Sequence, residues 1–294
     1  MSNIPLTERH KWMGASESAA LFGASPFNTA FELWQYKAGI IQPDSLDDVE
    51  RIQAGQFLEP SIGKWASFKW DWPINNVTGY TQHAHIKQMG ASLDFETTDT
   101  RDAVEIKNVD YIRFRDGDWV SEGDTIYDCP LHYLIQVQHQ LACSPHAECG
   151  WLVVCISGNQ LKRMRIDRSP EMIDAIEGEV NQFWESIREG NPPPPDFSRD
   201  TAVLNKLFGG KEAVQDLSHD TDAANVVAEW AAAHAIERDA KARKEAAMNK
   251  IKVMSGDCIT TLFDDNWTMK ASHIKASVRE VGEHWRFNLR QKKA

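Results

Sequence analysis

The sequence predicts an α/β (α+β) fold with a small mixed central sheet and helices around it. Three observations predict it. Up to about residue 190, segments with helical periodicity alternate with short strand-like runs. Four consecutive prolines, Pro192 to Pro195, then stop any helix or central strand. A stretch rich in Ala, Glu, Lys and Arg follows, with no internal repeat. The chain therefore divides into a main domain at 1–190, a proline-rich linker at 191–199 and a C-terminal appendage at 200–294.

Each element has a local cause. Ser16 precedes Glu17 to Gly23, a short helix with a glycine stop. Thr29-Ala-Phe-Glu32 is a capping box, and Gly39 ends the helix it opens. A second helix covers Glu59 to Phe68. Segments near 90–95, 103–109 and 111–115 have strand character, with polar turns such as 97–102 between them. Pro130 precedes a helix from Tyr133 to Cys143. Trp151–Ile156 and Leu161–Ile166 form a hairpin across Ser157-Gly-Asn159. Ser169 caps and Pro170 starts a helix whose apolar stripe is Ile173, Ile176, Val180, Phe183, Trp184 and Ile187. In the appendage, 223–250 reads as a charged helix, and 258–290 as a short β unit with a basic end.

The composition excludes several classes. The chain has 294 residues, 42% hydrophobic and 26% charged, which fits a folded protein rather than a disordered one. No run reaches the ~18 apolar residues of a membrane helix, and residues 1–9 lack the order of a secretory signal. The five cysteines, odd in number and without a Cys-x-x-Cys pair, argue against a disulfide framework or zinc ribbon, so a reduced, cytoplasmic protein is expected. The net charge of −11 weighs against nucleic-acid binding. A site built of carboxylates is acidic by construction, however, and basic residues cluster locally at Arg113 and Arg115, from Lys162 to Arg168, and from Lys270 to Lys293.

Chemistry concentrates at Val104-Glu105-Ile106-Lys107. On a strand, Glu105 and Lys107 share one face while Val104 and Ile106 enter the core. The triplet alone means little, since about two or three acid-x-Lys triplets arise by chance in such a composition. Its surroundings add weight. Asp94 ends a neighbouring strand-like segment, and a turn between the two would bring it beside Glu105. Two carboxylates and the Ile106 backbone carbonyl make an oxygen-rich site for Mg²⁺ or Mn²⁺, and Glu59 on the preceding helix could complete it. The competing reading is a surface hairpin laced with salt bridges.

Four segments, in order, resemble the YqaJ-like viral recombinase family, a phage lambda exonuclease-like branch of the PD-(D/E)xK nuclease superfamily. They are Arg9-His-Lys-Trp-Met-Gly-Ala-Ser16-Glu, Gly55-Gln-Phe-Leu-Glu59-Pro, Ser92-Leu-Asp94 with Glu105-Ile-Lys107, and the segment from Pro130 to Leu141 that contains Gln136 and Gln138. The resemblance covers roughly residues 9 to 190. It implies a restriction-endonuclease-like core and a metal-dependent 5′-to-3′ exonuclease on double-stranded DNA, leaving 3′ single-stranded tails for recombination by annealing. It implies Mg²⁺, with Mn²⁺ as substitute, held by Glu59, Asp94, Glu105 and the Ile106 carbonyl. Lys107 would activate water, Arg9 and Ser16 would bind a 5′-phosphate, and Gln136 and Gln138 would face the site. It also implies a homotrimeric ring, a single-strand annealing partner, and a phage or prophage protein in the bacterial cytoplasm. Leu93 stands where the family often has Pro, and the loop around 116–129 looks like an insertion. A non-catalytic recombination scaffold and a restriction-type endonuclease are the alternatives. The first would be expected to have lost one of the four site residues, and the second has no need of Arg9 and Ser16.

Other candidates carry less. Histidines 83, 85, 132 and 146 read as structural or surface residues, whereas His139, on the glutamine helix, is placed to approach DNA. The tryptophans fall mostly on apolar faces and read as core. No Gly-x-Ser-x-Gly and no phosphate-cradling Gly-x-x-x-x-Gly-Lys-Ser/Thr occurs, so neither a serine nucleophile nor ATP is expected.

Overall fold

A computed structural model describes residues 11–42, 48–209, 214–263 and 267–272. The chain forms two compact units, one ending at Phe208 and one starting at Gly209. The first unit begins with β1 (Met13–Gly14), a 3₁₀ turn (Ser18–Ala20), α1 (Ala30–Lys37), α2 (Glu50–Trp70), β2 (Ile74–Asn76), β3 (Thr81–Gln82) and β4 (Met89–Ala91). It continues with β5 (Phe95–Thr97), β6 (Ala103–Val109), α3 (Tyr111–Asp116), β7 (Val120–Glu122), β8 (Thr125–Asp128) and α4 (Leu131–Cys143). It closes with β9 (Cys149–Ile156), β10 (Gln160–Asp167), α5 (Pro170–Glu189) and α6 (Thr201–Leu207).

A seven-stranded mixed sheet, ordered β2-β5-β6-β9-β10-β8-β7, forms the centre. β6 runs parallel to β9, with Glu105 opposite Leu152 and Lys107 opposite Val154; β5 runs antiparallel to both neighbours, and β10 antiparallel to β9 but parallel to β8. A small sheet, β1-β4-β3, lies alongside it in the first unit. Alternation along the strands divides the core in two. Val104, Ile106, Val153 and Cys155 pack with Ile62 and Ala66 of α2. Leu152, Val154 and Ile156 pack with Val137 and Leu141 of α4 and Ile176 and Val180 of α5. The residues between Val104 and Ile106 and beyond therefore face α4, so Glu105 is directed at that helix.

The expected α/β class and mixed central sheet are present, and several local readings hold. Thr29 Oγ1 accepts from the Glu32 amide at 3.0 Å, and Ser169 Oγ from the Met172 amide at 3.2 Å. Gly23, Gly39 and Gly190 end their segments with φ between 66° and 73°, where a Cβ would be strained.

Three readings need correction. Residues 111–115 are not a strand but the start of α3, because Asp110 Oδ1 accepts the Ile112 amide at 2.8 Å and caps a helical turn. The expected strand 90–95 is two short strands in different sheets, with Ser92 to Asp94 between them. The first unit also extends past the linker expected at 191–199. Val203 of α6 is buried with Phe31 and Ile41, Thr29 Oγ1 donates to Asp200 at 2.6 Å, and Arg199 donates to the Ser25 carbonyl at 2.7 Å. Beyond the Gly190 cap, the prolines carry an extended segment back towards α1.

The second unit holds α7 (Thr221–Ser255) and the antiparallel pair β11 (Thr260–Leu262) and β12 (Thr268–Lys270). The expected β unit thus shrinks to one small hairpin, and most of the basic tail lies outside the described residues.

Candidate active site

The break between β4 and β5 creates the site. Asp94 sits in that break, its carbonyl accepting from the Val77 amide at 3.1 Å and from Asn76 at 3.1 Å. Its side chain turns towards β6, where Oδ2 accepts the Ile106 amide at 2.8 Å. Leu93, in the position where the family often has Pro, is buried in this turn. Glu105 is 3% exposed, yet both its oxygens have donors. Lys107 Nζ and Gln136 Nε2 each donate to Oε1 at 2.5 Å, and Gln140 Nε2 donates to Oε2 at 2.5 Å. Lys107 also lies 5.8 Å from the centre of the Tyr133 ring, on its face.

A cavity of about 470 Å³ collects these groups. Glu59, Asp94, Glu105, Lys107, Gln136 and Ser16 all line it. Burial, then the nearby Glu105 and Glu59, hold Asp94 well above the usual carboxylate range, against the pull of Lys107 and the Ile106 amide. Burial and Glu105 also raise Glu59. Burial tends to discharge Lys107, but Glu105 and Asp94 outweigh it and keep the ammonium charged. The acids crowd one another with a single lysine among them to balance their charge.

The lining carboxylates Glu59, Asp94 and Glu105, with no sulfur or imidazole among the lining residues, are chemically suited to a hard divalent cation. Burial and mutual repulsion make the ionised acids costly, and a bound cation would offset that cost. Among the described residues, however, no three acidic, His or Cys side chains converge into a closed cage.

Ser16 is exposed on a loop that the ion pair of buried Lys37 and half-buried Glu17 fixes from beneath. Lys37 Nζ lies 2.7 Å from each Glu17 oxygen and 2.6 Å from the Trp12 carbonyl, and the Gly14 amide donates to Glu17 at 2.8 Å. The following turn is held by Ser18 Oγ, 2.5 Å from His139 Nδ1, while His139 Nε2 lies 3.1 Å from the Gly90 carbonyl. With Nε2–H donating to Gly90, Nδ1 accepts the Ser18 hydroxyl. His139 is fully buried, so it braces the loop and is not available to DNA. Arg9 lies outside the described residues.

Gln138 needs the other correction. Its amide donates to the Asp167 carbonyl at 2.7 Å and its oxygen accepts the Ser169 amide at 3.0 Å, joining β10 to the start of α5 on the far side of α4. The second glutamine at Glu105 is Gln140. The signal was available, because a helix returns to the same face after four residues and not after two. Glu17 with Lys37, and Ser18 with His139, carried no comparable signal, since each pair joins segments distant in sequence.

Residues 6–147 match the family model of the YqaJ-like viral recombinase domain. The chain is 27% identical over 195 residues to the uncharacterized protein YqaJ of Bacillus subtilis (strain 168). That match covers 66% of this chain and 59% of the relative, so the chain spans about three fifths of the relative's length. Among solved structures it is similar to the alkaline exonuclease LHK-Exo from Laribacter hongkongensis, with 22% identity, a TM-score of 0.48, and 63% of this chain and 91% of that one covered. A phage-related exonuclease from Haemophilus somnus 129PT gives 10% identity and a TM-score of 0.43, covering 60% and 94%.

Proposed function

We propose, on the premise that residues 6–147 are a YqaJ-like viral recombinase domain, that this protein is a nuclease of recombination: a metal-dependent 5′-to-3′ exonuclease on double-stranded DNA that leaves 3′ single-stranded tails. The observation that carries this reading is the grouping of Asp94, Glu105 and Lys107 on one cavity, with Gln136 and Gln140 locking Glu105 in place. Glu59, Asp94, Glu105 and the Ile106 carbonyl would hold Mg²⁺, or Mn²⁺ in its place. When bound, the cation polarises the scissile phosphate and offsets the charge of the acids.

The chain's own residues supply the rest. Lys107 stays an ammonium beside Glu105, so it orients and stabilises an attacking hydroxide and does not act as a base. Ser16, rigidly presented on the Lys37-braced loop, would donate to a 5′-phosphate, and the guanidinium of Arg9 would add a fork of donors. Without ATP, processive digestion calls for a ring around the duplex. A homotrimer in the bacterial cytoplasm, working with a single-strand annealing protein, is therefore part of the proposal.

The test compares linear duplex carrying a 5′-phosphate, linear duplex carrying a 5′-hydroxyl, and a closed circle, each with Mg²⁺ and with chelator. The expected result is Mg²⁺-dependent loss of the linear substrates, fastest with the 5′-phosphate, and an intact circle. Cutting of the circle would replace this reading with an endonuclease, and no cutting at all would favour a scaffold. Lys107→Ala should abolish cleavage while duplex binding persists; activity within tenfold of wild type would remove Lys107 from the chemistry.

A further inference from the structure

We propose that the exposed ring of Phe27, with His132 and Tyr133 behind it, is a stacking site for an unpaired nucleobase of the DNA strand that enters the cavity. The inference rests on the nuclease reading for the identity of that strand. Three contacts lead outward from Lys107. Its Nζ stands over the Tyr133 ring, 5.8 Å from the ring centre. The Tyr133 and His132 ring centres are 4.0 Å apart, and those of His132 and Phe27 are 6.2 Å apart in an edge-to-face contact at 88°. On α4, His132, Gln136 and Gln140 recur at steps of four, with Tyr133 beside them, so both rings belong to the side of the helix that meets Glu105.

The strip ends in water, on a side chain that is fixed there. Phe27 is 77% exposed, yet its loop is pinned by a buried serine. Ser25 Oγ accepts the Phe27 and Asn28 amides at 3.2 and 3.3 Å, and Arg199 donates to the Ser25 carbonyl at 2.7 Å. At the inner end Trp119 packs on Tyr133 with ring centres 5.4 Å apart. A large ring already held in place loses little freedom when a ligand settles on it, so it binds at low entropic cost.

Chemistry selects a base as the occupant. Every nucleobase has a π face, and stacking on aromatic side chains holds unpaired strands whatever their sequence. Charge agrees. Burial raises the Tyr133 hydroxyl, while Lys107 and Arg51 pull it back, so positive charge lies beside the rings for the phosphates that flank such a base. An apolar protein segment would gain nothing from those charges. A base inside a duplex is paired and stacked on its neighbours, so the rings take one from an unpaired 5′ end.

The experiment uses the full chain in chelator, so that binding is read without cleavage. The probe is a duplex with a 5′-phosphorylated overhang of four nucleotides, each position made abasic in turn, and affinity is measured by fluorescence anisotropy. Loss of the base at one of these positions should weaken binding by the wild type about tenfold, although the phosphates are unchanged. Phe27→Ala should bind the intact overhang about tenfold more weakly and lose the difference between intact and abasic probes, at an unchanged melting temperature. Phe27→Trp should restore that difference. Equal binding of intact and abasic overhangs by the wild type, absence of binding included, overturns the proposal, and so does a Phe27→Ala protein that keeps the difference. An abasic effect in a protein that cuts nothing with Mg²⁺ would remove the nuclease reading and leave the stacking site; Mg²⁺-dependent cutting without an abasic effect would do the converse.

Discussion

Glu105 illustrates how much one side chain depends on its neighbours. A carboxylate so deeply buried needs hydrogen-bond partners, and Lys107, Gln136 and Gln140 donate three bonds to it, only one of them to Oε2. Gln140→Ala removes one of these supports without touching substrate. A fall in kcat of about tenfold to a hundredfold is expected, with little change in KM, as for residues that orient metal ligands. Gln138→Ala should do the reverse. It breaks the link between β10 and α5, lowering stability by about 1–2 kcal/mol in urea while kcat holds. Equal effects on kcat would contradict the assignment of the two glutamines. His139 makes a pH-dependent contribution. Burial lowers it from 6.5 to about 4, so between those values the unfolded chain binds the proton that the folded chain rejects. Its contribution is thus complete above about pH 6.5 and lost as pH falls towards 4, amounting to roughly 3 kcal/mol. Denaturation of His139→Gln and wild type from pH 7 to pH 4 should show the gap between them narrowing with acid.

Helices α2 and α5 give opposite answers to one substitution. Glycine within a helix ordinarily costs about 0.5–1 kcal/mol relative to alanine. A Cβ on Gly178 of α5 would meet nothing within 4 Å, so Gly178→Ala should raise the melting temperature. A Cβ on Gly63 of α2 would come within 2.1 Å of the Phe95 ring, which is itself 4% exposed and hemmed in by the second core. That overlap outweighs the propensity gain, and Gly63→Ala should destabilise by about 1–3 kcal/mol. Phe95 directly follows Asp94, so the same variant should also lose activity. Thermal melts of the two variants suffice as the check.

The first unit behaves as a whole only with its final helix. Cutting the chain at residue 190 exposes the site that α6 covers on α1 and breaks the Thr29–Asp200 and Arg199–Ser25 links. A chain ending at Phe208 should match the first unfolding transition of the full protein. One ending at residue 190 should melt about 5–10 °C lower, from the apolar contacts and hydrogen bonds lost. If both truncations melt alike, α6 contributes nothing to the unit.

Much of this architecture was legible in local sequence. Thr29 with Glu32, Ser169 with Pro170 and the Ser157-Gly-Asn159 turn act within a few residues, so helix starts and the β9–β10 hairpin follow from short patterns. The face shared by Glu105 and Lys107 follows from strand alternation, and the membership of the cavity from the order of Glu59, Asp94, Glu105 and Lys107. Local pattern misread 111–115, where aromatic and β-branched residues suggest a strand and a single capping aspartate decides for a helix. Tertiary structure decided the rest: which face of α4 meets the acid, so that Gln140 joins Gln136 there, His139 locked to Ser18, Lys37 beneath the Ser16 loop, and α6 folded back on α1. Each of these contacts except the first joins groups with no periodic relation in the chain, and even Gln140 needed the sheet to show which face of α4 meets Glu105. Local patterns set where segments begin, end and turn their apolar sides, but the partner of a buried polar group is settled only when distant segments close around it and exclude water.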